Sequence, residues 1–139
     1  MAPADASHRL AGSPKRLGNA RLRRLLRRAS DGAASEAERV LHRLLRSAGL
    51  IGWLPNYPVR LGGQSVVLDV AFPTTRLAIE VDGLVWHVDP ARFQRDRTRQ
   101  NELVTAGWTV LRFTWADLTE RPDHVVAVVR STLDRLSAA

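Results

Sequence analysis

Three carboxylates crowd one stretch of this chain. Asp69 falls toward the end of the run Gln64 to Phe72, and Glu80 and Asp82 flank Val81 in Ala78-Ile79-Glu80-Val81-Asp82-Gly83. Residues two apart on an extended strand project from one face, so Glu80 and Asp82 share a side. If the two runs pair as a hairpin through Pro73-Thr74-Thr75, Asp69 and the Glu80/Asp82 pair converge. Carboxylates gathered in one pocket repel, each close pair costing on the order of 4 kcal/mol at an effective dielectric of about 20. Either their pKa values rise or a divalent cation neutralises them. Oxygen ligands with no sulfur and one nearby imidazole suit magnesium, or manganese, rather than zinc. Such an ion holds a phosphate and lowers the pKa of its bound water. Any one of these acids alone is more simply read as keeping a sheet edge soluble. Two acids between apolar neighbours on one strand are harder to read that way, because acids are depleted in strands.

The elements that must position these groups can be read from periodicity and punctuation. Ser35-Glu36-Ala37-Glu38 has the pattern of a capping box and precedes Val40, Leu41, Leu44, Leu45 and Ala48 at helical spacing, with Gly49 as the stop. Leu54 to Leu61 and Gln64 to Phe72 flank Gly62-Gly63, a two-residue hairpin signal. Arg76 to Val81 is a third strand, with Asp69 expected on the face opposite Leu68 and Val70. Asp89-Pro90 opens a helix that runs to about Ala106 and stops at Gly107. Trp108 to Thr114 is a fourth strand, and Pro122 begins a last helix carrying Val125, Val126, Val129, Leu133 and Leu136. A strand-helix-strand passage implies a parallel pair, so the expected fold is α/β, a four-stranded mixed sheet flanked by helices. Trp53, Trp86, Trp108 and Trp115 sit beside Leu and Val runs, a spacing that favours core packing over base stacking.

Composition bounds the partners. With 139 residues, 45% hydrophobic and 25% charged, the chain is ordinary globular material for one domain. No apolar run is long enough to span a membrane, and no cysteine is present, which excludes disulfides, zinc fingers and thiol catalysis and favours a reducing, cytoplasmic setting. The net charge of +7 and a pI near 11.4 point to a polyanionic partner. Residues 1–30 read as a flexible basic arm, its stretch Lys15 to Arg28 either a short amphipathic helix or a basic arm ended by Ser30-Asp31-Gly32, in which Arg23, Arg24, Arg27 and Arg28 are candidates for phosphate contact, against the plainer reading of a solvated face. Lys15 is the sole lysine, so the folded region has none to offer.

The step from Asp69 to Glu80-Val81-Asp82 resembles the D…(D/E)-x-K signature of the restriction-endonuclease superfamily, and the αβββαβ order is that fold's. Asp82-Gly83-Leu84-Val85-Trp86-His87 and the run from Arg95-Asp96-Arg97 to Leu111 narrow the likeness. Together they resemble the very short patch repair (Vsr) endonucleases and the small bacterial proteins grouped with them, over about Ser35 to Leu118, within a domain of residues 35–137. The resemblance implies a magnesium-dependent DNA endonuclease in which Asp69 and Glu80 hold the ion, Val81 offers its carbonyl, and Glu38 assists from the first helix. It implies that His87 positions the attacking water, with core packing beside Trp86 as the alternative, and that Asp82 assists. For Glu38 the capping box is a strong competitor, since it would bind the carboxylate to the Ser35 backbone.

Asp82 departs from the pattern, standing where the superfamily has lysine and the Vsr group histidine. Its role would be to ligate a second metal, or an arginine would supply the missing charge: Arg95 and Arg99, one helical turn apart, or Arg112 on the fourth strand, all three also candidates for gripping nucleic acid. For the two helix arginines the plainer reading is pairing with Asp96 or Glu102. A non-enzymatic nucleic-acid-binding module and an RNA nuclease of a toxin or phage-defence system are the rival functions. A homodimer would suit cutting of both strands.

Overall fold

The computed structural model describes residues 16–82 and 90–138. In chain order its elements are α1 (Arg16–Ser47), β1 (Leu54–Leu61), β2 (Gln64–Phe72), β3 (Leu77–Asp82), α2 (Pro90–Thr105), β4 (Thr109–Thr114), α3 (Trp115–Glu120) and α4 (Pro122–Ala138). The strands form one sheet in the order β1-β2-β3-β4. Neighbours β1–β2 and β2–β3 are antiparallel, and β4 runs parallel to β3. This is the mixed α/β sheet expected from the sequence.

Local chemistry explains the joints. Gly62 and Gly63 have φ of 55° and 86°, the doubly left-handed turn that matches the twist of an antiparallel ribbon and that side chains disfavour. After α2, Gly107 (φ 95°) lets its own N–H reach the Val104 carbonyl and the Trp108 N–H reach that of Leu103, closing the helix and launching β4.

The sheet separates two apolar layers. On one face Ala37, Leu41 and Leu45 of α1, Leu118 of α3, and Val125 and Val129 of α4 pack on Val70, Phe72, Leu77 and Ile79. On the other, Leu103 of α2 and Trp108 pack with Leu61, Leu68, Ala71 and Ala78. Leu103 is the only residue of α2 to be fully buried, worth about 2–3 kcal/mol of transfer free energy. Residues 90–98 of that helix are all exposed. Trp108 is therefore core, Trp115 packs against the first layer, and Trp53 stacks on His42 with centroids 5.5 Å apart; Trp86 lies outside the described residues.

Three expectations differ from the structure. The helix does not begin at Ser35: α1 runs unbroken through Ser30-Asp31-Gly32. Gly32 costs a helix about 1 kcal/mol, which neighbouring alanines outweigh, so the Ser35 pattern sits in mid-helix and caps nothing. Of the basic arm, residues 16–30 are thus helical, and residues 1–15 lie outside the described residues. The second difference is α3, whose start is capped by Thr114: Asp117 N–H donates to Thr114 Oγ1, and Thr114 N–H donates to Asp117 Oδ2. The third is in β2, where strict alternation fails. Leu68 joins the α2-side layer while Val70 joins the opposite one, so the register of faces changes across Asp69. On the neighbouring strand, Asn56 takes a left-handed φ of 50° between the paired residues Pro55 and Tyr57.

Candidate functional site

The change of faces at Asp69 builds the site. The β2–β3 ladder is regular at Phe72–Leu77, Ala71–Ala78 and Val70–Ile79, and stops there. Beyond it, side chains take over from the backbone. Asp69 N–H donates to Glu80 Oε2 at 2.8 Å, and Val81 N–H donates to Asp69 Oδ2 at 2.8 Å. Each strand thus offers a carboxylate to the other's amide, which fixes both acids where the strands part.

Glu80 lies on the α2 side of β3, two residues from Ala78 of that layer. Its side chain is 6% exposed and paired with Arg99 of α2, Nη1 to Oε1 at 2.6 Å. Arg99 also donates through Nη2 to the Val67 carbonyl at 2.9 Å. Asp82 is treated likewise from β4: Arg112 donates to Asp82 Oδ1 from Nη2 at 2.7 Å and from Nε at 3.2 Å, and its Nη1 reaches Gln100 Oε1 at 3.2 Å. Burial alone would lower the Arg112 pKa, but the hydrogen bond and charge of Asp82 outweigh it and hold it above the ordinary value.

Asp69 has no such cation. Burial first, and then the charge of Glu80, push its pKa from 3.8 to about 7; Glu38 pushes the same way, while the Val81 N–H and Arg99 only partly offset them. A carboxyl half-ionised near neutrality, with one oxygen held by an amide, is a group short of positive charge.

The acids that feel one another are therefore Asp69, Glu80 and Glu38. The charges that act most on Asp69 are those of Glu80, Glu38 and Arg99, while Asp82 pairs with Arg112, on which Glu80 also acts. Among the described residues, no three His, Asp or Glu side chains gather closely enough to cage a metal. Glu38, which the capping-box pattern had set aside, is free of that bond because Ser35 caps nothing. The arginines change roles as well. Arg99 and Arg112 neutralise Glu80 and Asp82 rather than standing free for phosphate, and neither Asp96 nor Glu102 is their ion-pair partner. Arg95 is exposed and bonded to nothing described. Arg23, Arg24, Arg27 and Arg28 lie on α1, about 15–22 Å along its axis from Glu38, and their side chains are outside the described set, as is the whole of His87. The reading of the sequence missed Gln100, the polar support of Arg112; its position one residue after Arg99 gave no local signal.

A divalent cation of the magnesium type fits this donor set. Such ions are bound through one or two carboxylates and otherwise by water and phosphate, so a three-acid cage is not required. Asp69 supplies an oxygen that no described residue bonds, and the Val81 carbonyl points to the same side of β3 as the N–H that holds Asp69. Glu80, whose oxygens already accept one bond each, retains lone pairs for more.

The chain matches the restriction-endonuclease-like family REase_MTES_1575 over residues 37–133, and it belongs to that family. It is 36% identical over 84 residues to the Uncharacterized protein Rv2248 of Mycobacterium tuberculosis (strain ATCC 25618 / H37Rv), covering 60% of this chain and 31% of that one. It is 34% identical over 93 residues to the Type II nicking enzyme V.NaeI of Lentzea aerocolonigenes, covering 53% of this chain and 55% of the relative. The chain thus spans between a third and about half of the length of these relatives. Among solved structures, the Homing Endonuclease I-Bth0305I Catalytic Domain superposes with a TM-score of 0.49 at 19% identity, over 72% of this chain and 91% of that domain. Among the described residues, no helix is long and apolar enough to cross a membrane.

Proposed function

We propose that the chain is a metal-dependent endonuclease that hydrolyses phosphodiester bonds in DNA, with magnesium, or manganese, held by Asp69, Glu80 and the Val81 carbonyl and assisted by Glu38. The observation that carries the reading is the reciprocal lock between Asp69 and the Glu80-Val81 segment, which leaves a half-buried, under-neutralised carboxyl where two strands part. Membership of a restriction-endonuclease-like family and the likeness to a nicking enzyme support nucleic acid as the substrate. When bound, the cation supplies charge for the phosphate oxygens and lowers the pKa of a coordinated water.

The chain's own residues do the rest. Val81 N–H and Asp69 N–H orient the two carboxylates before substrate arrives, so little reorganisation is left for the reaction. Arg99, on Glu80, brings a guanidinium into the site from the helix, where the superfamily brings a lysine from the strand. The Asp82–Arg112 pair occupies that strand position. His87, five residues beyond Asp82, carries the water-positioning role that the likeness to Vsr enzymes implies.

The test is nicking of supercoiled plasmid by the full chain with magnesium or manganese, compared with Asp69→Asn. Metal-dependent nicking that Asp69→Asn abolishes supports the reading. Nicking that survives Asp69→Asn would refute it. A second reading has its own observation: Glu80 and Asp82 are both neutralised by arginines, as in a fold whose chemistry has been lost. DNA binding without nicking by either protein would establish that binding module instead.

A further inference from the structure

The face of α2 that touches the sheet continues past the sheet's end. Leu103 is buried in the α2-side layer and Arg99 reaches Glu80. At 100° per residue, Arg92, Arg95, Arg99 and Leu103 fall within an arc of about 80°. Because β3 and β4 are parallel and α2 connects them, α2 runs back along β3, with its N-terminus at the Asp82 end. From Arg99, beside Glu80, the stripe climbs about 6 Å to Arg95 and about 10 Å to Arg92. Strand β3 ends at Asp82, roughly 7 Å beyond Glu80, so Arg95 lies level with its end and Arg92 overhangs it. Both are exposed, and neither makes a hydrogen bond or ion pair with the described residues. Asp96 falls about 20° outside this arc and makes no ion pair with Arg92 or Arg95; its charge acts on Arg112. Arg97 is elsewhere, 4.9 Å over the Phe93 ring and turned well away from the stripe.

Two uncompensated guanidiniums held in line with the acid site, on a helix that buries only Leu103, have no structural task. We infer that Arg92 and Arg95 form the clamp that holds the DNA backbone beside the acid site, each taking a phosphate of the strand whose scissile phosphate meets Asp69. This rests on the nuclease reading and deepens it: Arg99 and Arg112 balance the site's own acids, whereas Arg92 and Arg95 balance the substrate. The stripe's span of about 10 Å matches the axial rise of about three phosphates of one strand. Duplex DNA is the occupant, because a straight helical stripe meets phosphates at regular rise along a regular backbone.

The experiment measures binding of the full chain to a fluorescent DNA duplex in chelator, where no cleavage occurs, as a function of salt. Arg92→Gln/Arg95→Gln should flatten the slope of log K against log [salt] by up to ~1.8, about 0.9 for each phosphate no longer neutralised, with an unchanged melting temperature. Arg97→Gln, off the stripe, should leave the slope alone. An unchanged slope in the double variant, or an equal flattening with Arg97→Gln, overturns the clamp. A single-stranded RNA of the same sequence forms a second arm: if its binding, and not that of the duplex, responds to the double variant, the duplex assignment is wrong. Because nothing is cleaved, the result is separate from the plasmid assay: a protein that never nicks can still show the clamp, and one that nicks can lack it.

Discussion

Removing the Arg99 guanidinium, as in Arg99→Met, strips the counter-charge from a carboxylate that is nearly inaccessible. Two unit charges with centres about 4 Å apart attract by ~4 kcal/mol at an effective dielectric of about 20, and breaking a buried pair by removing one partner costs ~3–5 kcal/mol. Here the Glu80 side chain is 6% exposed but that of Arg99 is 26% exposed, so water screens part of the attraction, and ~2–3 kcal/mol is the fitting magnitude. Loss of the hydrogen bond to the Val67 carbonyl adds ~1 kcal/mol. The expected total is ~3 kcal/mol, or a fall of ~10 °C in Tm for a domain of this size. Urea unfolding followed by tryptophan fluorescence, in chelator, measures it. Glu80→Gln then completes a double-mutant cycle, for it removes the charge that Arg99 serves while its amide oxygen can still accept the Asp69 N–H. The double variant should lose ~2 kcal/mol less than the sum of the two single losses. Additivity within ~0.5 kcal/mol would refute the reasoning, for it would mean that Arg99 does not neutralise Glu80.

Asp69 makes the metal-free protein pH-sensitive in a defined direction. Its pKa is 3.8 in the reference state and about 7 in the fold, so between these values the native state holds a proton that the unfolded chain has released, and stability falls as pH rises. The full shift is worth at most ~4 kcal/mol, and partial solvation of the carboxyl reduces this to ~2 kcal/mol; Asp69→Asn should flatten the profile between pH 4 and pH 7, read by urea unfolding in chelator. Thr114→Ala breaks the capping box of α3 and should cost ~1 kcal/mol with nicking unchanged. Asp117 is held at about 2 by the Thr114 N–H and then by Arg121, so its contribution is present above the unfolded value of 3.8 and is lost as pH falls toward 2; Asp117→Asn should lessen acid sensitivity in that window. Gly62→Ala places a side chain at φ 55° and 3.3 Å from Glu102 Oε2, and should cost ~1–2 kcal/mol in thermal unfolding.

Features written in neighbouring residues were legible in the sequence alone. Gly62-Gly63 between two alternating runs gave β1 and β2 with their limits, Pro90 and Gly107 bracketed α2, and the passage from β3 through α2 to β4 gave the parallel pair. Asp69 and Glu80 could be matched because a hairpin through Pro73-Thr74-Thr75 leaves one register in which they meet. Local patterns also misled where longer-range terms decided. The Ser35 capping signature lost to helix propensity on both sides of it, and the Thr114-Asp117 signature, equally short, was real.

The amino-acid sequence by itself determined the order of elements, the placing of two acids at one strand crossing and the excess of positive charge, because each depends on residues near one another in the chain or on composition. Only the tertiary structure decided which cation serves which acid. Arg99 and Glu80 are 19 residues apart and Arg112 and Asp82 are 30 apart, so their pairing follows from how α2 and β4 pack on β3 and from nothing within either segment. The same packing pairs Asp82 with Arg112, leaves Asp69 with no ion pair among the described residues, and carries Arg92 beyond the end of the sheet. Electrostatic partnership is set by distance in space and by burial, and one-dimensional spacing specifies neither.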